Sequence, residues 1–202
     1  MFPENYFIYI QLIIFYFITP GPPRVVIVSN TINYGLRKSV WTAFGDISAN
    51  FVQASLVTFV IGSLLIDNPD VYVYLKWAGI IYLLYLAYET LTLKIKKADI
   101  KNKVFRSNLA MYRDGFLVAG LSPKALVFFG TIFLTFINFE KNVISQFLIL
   151  ISTWMTLDFF SLMIYGLAAR KIALWLKGNP RTLNTISACV LIIIALYVAI
   201  KT

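Results

Sequence analysis

The chain has no histidine, a single cysteine and only nine acidic residues among 202. Without histidine, any proton relay must use carboxylates or water. With so few carboxylates and thiols, a site for a soft metal would also be poor, and no metal or cofactor is expected. Cys189 lies within an apolar stretch. It cannot form an internal disulfide or a two-cysteine redox pair, so it reads as a small packing residue. A cleavable leader is also not expected: residues 1–6 carry Glu4 and no Lys or Arg, and no small-residue cleavage site follows the first apolar run. Charge is scarce throughout, with 13% charged against 59% hydrophobic residues and a mean hydropathy of +0.78. A soluble domain of this length needs a polar surface that this composition does not supply. An integral membrane protein without enzymatic residues is the class that remains.

What is present comes in six apolar blocks: residues 6–28, 40–66, 71–93, 116–137, 143–169 and 183–200. Each is near or above the roughly 20 residues that cross a hydrocarbon core of about 30 Å. The expected fold is therefore an all-α membrane protein of six transmembrane helices in one integral-membrane domain. Asp67-Asn68-Pro69-Asp70 and Gly178-Asn179-Pro180 read as tight turns. Lys94 to Asp114 reads as the one sizeable loop, and it is strongly basic.

The net charge of +9 would suggest nucleic acid in a soluble protein. Here the basic residues sit between apolar blocks, where attraction to anionic lipid and control of orientation explain them. Loops one, three and five carry most of them, from Arg37 and Lys38 through Lys94–Arg113 to Arg170–Arg181. The other side holds Lys141 and Lys201, with Lys76 near its edge. The bias puts loops one, three and five in the cytoplasm and both termini outside, in a multi-pass protein of the inner membrane.

The informative residues are the polar ones inside the blocks. Asp46 is the only charge in the second block and Asp158 the only one in the fifth. A carboxylate at such depth is costly unless it faces a cavity or a partner. A functional proton or ammonium site is one reading. A buried Asp bridging two helices is the other.

Proline supplies the second clue. Pro20-Gly21-Pro22-Pro23 should break the first helix, and Ser122-Pro123 the fourth, with Ser122 placed to cap the new helix start. A half-helix that begins inside the membrane directs free N–H groups and a partial positive charge into the protein, which suits a carboxylate. Kinks that only shape packing are the plain alternative. A base follows each proline: Arg24 after Pro23 and Lys124 after Pro123. Each opposes the helix dipole, so each should have a partner, either a substrate carboxylate or Asp46 and Asp158, unless it snorkels to the interface.

The two Pro-base segments stand 100 residues apart, and each precedes a helix with a lone Asp. Three helices per half would give the halves opposite orientation. That is the inverted-repeat layout of secondary transporters, with repeat one at about 1–93, the basic loop at about 94–114 and repeat two at about 115–202.

These residues resemble the LysE/RhtB amino-acid exporters. Thr19-Pro20-Gly21-Pro22, then Gly35-Leu36-Arg37 and Gly45, look like the start of that family. Leu75 to Leu86 is similar to its third-helix pattern, and Ser122-Pro123-Lys124-Ala125 to its Asn-Pro-Lys segment. The resemblance runs from about Tyr6 to Ile200. It implies proton-driven export of amino acids or their derivatives through two three-helix repeats. Three departures stand out: Ser122 where Asn is usual, Arg24 where a small or amide residue is more common, and Ala49 in place of a frequent Gly in the small-xxx-small pattern begun by Gly45.

The expected site is bounded by helices one, two, four and five. Pro20, Gly21, Pro22, Pro23, Arg24, Ser122, Pro123 and Lys124 would take the substrate carboxylate, and Asp46 or Asp158 the ammonium group or a proton. The expected partners are an amino acid and membrane lipid, with a homodimer allowed and no nucleic acid. Export of another small solute or a metal ion, or a non-transporting membrane subunit, are the rival readings.

Overall fold

Proline placement decides where the first helices stop and start. The computed structural model describes residues 3, 5–18, 21–62, 69–92, 106–169 and 171, with isolated positions between 185 and 200. Helix α1 runs Tyr6–Ile18 and α2 Pro22–Tyr34. Gly21 holds the extended cap position of α2, and Pro22 and Pro23 open it, where their missing N–H groups cost nothing. The pair is bent by 54°. Gly35 then joins α2 to α3 at φ +86°, a conformation that a side chain would strain.

Helix α3, Leu36–Leu56, continues through a wider turn at Val57–Ile61. Helix α4 covers Pro69–Thr92. Helix α5 covers Asn108–Gly120, with Ser107 capping it by accepting from the Ala110 amide. The chain breaks at Leu121-Ser122 and resumes as α6, Pro123–Val127, which passes through Phe128–Ile132 into Phe133–Phe136 without leaving helical conformation. This second pair is bent by 55°. Helix α7, Val143–Leu167, is capped by Asn142, whose side chain accepts from the Ser145 amide. All regular structure among the described residues is helical.

Among the described residues two helices, Leu36–Ile61 and Val143–Leu167, are long and apolar enough to cross a membrane, and up to four spans result if each bent pair counts as one. Helix α4 covers the residues of the third expected block but is not among these candidate spans. Two expectations change. Residues 108–114 belong to a helix rather than to the basic loop, because Ser107 caps it and Arg106 pairs with Asp114 along it. The second helix starts at Leu36 rather than residue 40, so Asp46 lies ten residues beyond the start of α3, about 15 Å of rise. The sixth block, like the greater part of the basic loop, lies outside the described residues.

Two packing relationships position the site. Helices α3 and α5 cross in backbone contact: a Cβ at Gly45 would lie 2.0 Å from the Tyr112 carbonyl oxygen, and one at Gly115 1.9 Å from that of Thr42. Small residues permit this approach, as in membrane helix pairs generally. Around the buried face of α7, Tyr9, Tyr16, Phe17, Phe128, Phe129, Phe133 and Trp154 form a continuous aromatic core. Trp154 sits at its centre, with ring centroids 4.6 Å from Phe128 and 4.8 Å from both Phe17 and Phe129. Large apolar side chains such as Phe7, Phe15, Ile81, Ile144 and Ile164 point outward, an arrangement suited to lipid rather than water.

Candidate functional site

Where α1 gives way to α2, Arg24 lies in the first turn of α2 and turns inward. It is 5% exposed, so it does not snorkel. Its Nη2 donates to Asp158 Oδ1 on α7 at 2.5 Å, and its guanidinium lies over the Phe17 ring at 5.0 Å. Helix α3 supplies the next link. Asn50 donates through Nδ2 to Asp46 Oδ2 at 2.9 Å, one turn back on its own helix, and to Asp158 Oδ2 at 3.0 Å across to α7. One buried chain thus runs Arg24–Asp158–Asn50–Asp46 through α2, α7 and α3. Breaking a buried ion pair by removing one partner leaves a charge without compensation, so these contacts are interdependent.

A small cavity, with room for about one water at about 10 Å³, lies where the two helix breaks meet. Gly21, Pro22, Pro23 and Arg24 line it from the first break, Ser122 and Lys124 from the second. Tyr16, Asn50 and Trp154 complete its polar and aromatic wall. Lys124 is half-buried, and its Nζ sits 4.0 Å from the Tyr16 ring centre and 3.4 Å from the Tyr16 carbonyl oxygen. Among the described residues no carboxylate pairs with it. The buried polar atoms Arg24 Nε, Trp154 Nε1, Asp46 Oδ1 and Asn50 Oδ1 have no hydrogen-bond partner among the described residues. Buried orphans of this kind are rare and mark places where a ligand or water is expected.

The expected residues are therefore distributed in three ways. Gly21, Pro22, Pro23, Arg24, Ser122 and Lys124 meet at the cavity, and Pro123 starts the helix beside it. Asp46 and Asp158 do not line the cavity; they are bonded to Asn50 and Arg24, which do. Ser122 occupies the cap position, but its side chain makes no capping bond; its backbone carbonyl accepts from the Ala125 and Leu126 amides instead. Pro20 lies outside the described residues. Asn50, Tyr16 and Trp154 were not anticipated. Asn50 had a signal in its spacing, four residues from Asp46 and so on the same helix face. Tyr16 and Trp154 sit among apolar neighbours and gave none.

Helical spans broken at proline around a buried charge network define a membrane translocator, and the chain belongs to the LysE type translocator family, whose model matches residues 14–202. Its relatives include the homoserine/homoserine lactone efflux proteins of Salmonella typhimurium and Salmonella typhi, each 25% identical over 91% of this chain and 89% of the relative. An uncharacterized membrane protein of Vibrio cholerae is likewise 25% identical, over 84% of this chain and 83% of its own length. No solved structure matches the chain. Family membership and relatives together support a small-molecule exporter in a membrane.

Proposed function

We propose that this chain is a secondary transporter that exports amino acids or close derivatives across the cytoplasmic membrane, driven by the proton gradient. The observation that carries the reading is the buried Arg24–Asp158–Asn50–Asp46 chain, set against a cavity shared by two helix breaks. A group of intramembrane charges in that position is hard to account for by packing alone.

The substrate carboxylate meets Lys124, the Trp154 indole N–H and the helix start at Gly21–Pro23, where Gly21 alone keeps a backbone N–H because Pro22 and Pro23 have none. The ammonium group goes to Asp46, whose Oδ1 is unengaged, rather than to Asp158, whose two oxygens are already taken by Arg24 and Asn50. A cavity of about 10 Å³ is too small for any amino acid, so Arg24 or Asn50 must move aside to admit one. Displacing Arg24 from Asp158 would free a carboxylate to take up a proton, which links substrate movement to proton movement.

Six spans as two inverted repeats fit this reading. The arms before each break, Tyr6–Ile18 and Asn108–Gly120, are both 13 residues long, and the bends of 54° and 55° nearly agree. Basic loops in the cytoplasm and both termini outside follow from the charge bias. The deciding experiment is export of labelled amino acids, with homoserine and its lactone in the panel because two relatives carry those names. Cells overproducing the protein should clear at least one compound faster than cells producing Asp158→Asn. Clearance no faster than that of cells lacking the protein, for every compound, would refute the exporter reading; equal clearance by Asp158→Asn would refute the role given to Asp158.

A further inference from the structure

A proline cannot donate to the carbonyl four residues before it. Pro22 therefore frees the Ile18 carbonyl and Pro123 that of Ala119, while the Tyr16 carbonyl is left over in the last turn of α1. In hydrocarbon such groups need another partner, since no bulk water reaches them. Each has one from a distant part of the chain. The Lys124 ammonium donates to the Tyr16 carbonyl at 3.4 Å, and the Tyr165 hydroxyl to the Ile18 carbonyl at 2.8 Å. The Gln53 amide donates to Ala119 at 3.3 Å and, more closely, to Gly120 at 2.8 Å.

The arrangement is crossed. Lys124 and Tyr165, from the second half, serve the break in the first helix. Gln53, from the first half, serves the break in the second. The second break keeps a local bond as well, from the Ser122 amide to the Ala119 carbonyl at 2.9 Å, so the Gly120 carbonyl is where Gln53 matters most. Neither Gln53 nor Tyr165 lines the cavity. Gln53 is nevertheless 6% exposed, with its Oε1 unpaired. A polar side chain so placed is costly unless its amide is needed where it points.

We infer that Gln53 and Tyr165 are positioning residues that fasten each helix break to the opposite half of the protein. The bend at each break is then steadied by a side chain carried on the other half, so the two breaks keep the geometry that the cavity between them needs. Lys124 shares this duty at the first break while also facing the cavity. The consequence for rate rests on the exporter reading, but the fastening itself does not.

Hydrogen–deuterium exchange on the lipid-embedded protein separates the two. Tyr165→Phe removes one hydroxyl and should raise exchange of the amides in residues 16–28 by about fivefold, as loss of one hydrogen bond allows. Residues 117–126 should be unchanged. Gln53→Met should do the reverse. Both variants should lower the maximal export rate by about threefold or more on the same scale, with KM unchanged. Unchanged exchange at the facing break, or an equal rise throughout α3 and α7, would overturn the inference. So would a wild-type export rate in both variants of a protein that exports. If exchange rises at each break as stated while the wild type exports nothing, the fastening stands and the exporter reading falls.

Discussion

Arg24 and Asp158 lie 134 positions apart in sequence and 2.5 Å apart in space, both buried. The pair joins the first turn of α2 to the middle of α7. Removing one member strands the other charge. Asp158→Leu should destabilise the protein by about 3–5 kcal/mol, and the double variant Arg24→Met/Asp158→Leu should regain most of that loss. Neither should export. Thermal unfolding in detergent measures the first effect and labelled-substrate export the second; a double variant that exports would separate the pair from transport.

Asn50 holds two carboxylates with one amide. Asn50→Leu has similar bulk and no donor, so both Asp46 and Asp158 lose a charge-assisted bond worth about 1.5–3 kcal/mol. Asn50→Asp would be worse, because it sets a third carboxylate against the other two. Export by Asn50→Asp should fall below that of Asn50→Leu when the two are compared at equal membrane abundance. Wild-type export by both variants would mean that Asn50 acts by volume alone, and the opposite order would overturn the repulsion argument.

At the α3–α5 crossing, added volume should not be tolerated where the two backbones touch. A Cβ at Gly115 would lie 1.9 Å from the Thr42 carbonyl and 3.1 Å from the Asp46 amide. Gly115→Ala should cost about 1–3 kcal/mol, the usual range for overpacking, and shift α3 together with Asp46. Gly120→Ala is the internal control, since a Cβ there would meet only Ala49, at 3.6 Å. Melting temperatures of the two variants decide it: equal values would mean the contact is not close.

Much of this arrangement was legible in advance, for identifiable reasons. Proline is unambiguous about where a helix cannot continue, so the breaks before Pro22 and Pro123 could be read directly. Lone charges in apolar runs are equally plain, which is why Asp46, Asp158, Arg24 and Lys124 stood out. The start of α5 did not, because Arg113 and Asp114 interrupt its apolar residues and its cap, Ser107, is one serine among several polar residues. Which charge meets which was also hidden: the spacing is equally compatible with Arg24 facing substrate, Asp46 or Asp158. Gln53 and Asn50 lay within reach of periodicity, seven and four residues past Asp46 on one helix face. Trp154 and Tyr165 become polar contributors only through their tertiary neighbours, and no local pattern announces that.

Lys124 offers the sharpest test of substrate orientation. Its ammonium meets a ring face and a backbone carbonyl, with no carboxylate paired to it among the described residues, so it is available to an incoming anion. A carboxylate held there gains a charge-assisted bond of about 1.5–3 kcal/mol, or roughly tenfold to a hundredfold in affinity. Lys124→Met should therefore raise KM for an α-amino acid by at least about tenfold while leaving KM for its uncharged methyl ester nearly as it was. Lys124→Arg, which keeps the charge, should fall between Met and the wild type for the acid. Export kinetics of the acid and ester side by side make the comparison. Equal losses for both compounds would mean that Lys124 supports the first helix break and does not read the carboxylate, and the substrate would have to be turned end for end in the cavity.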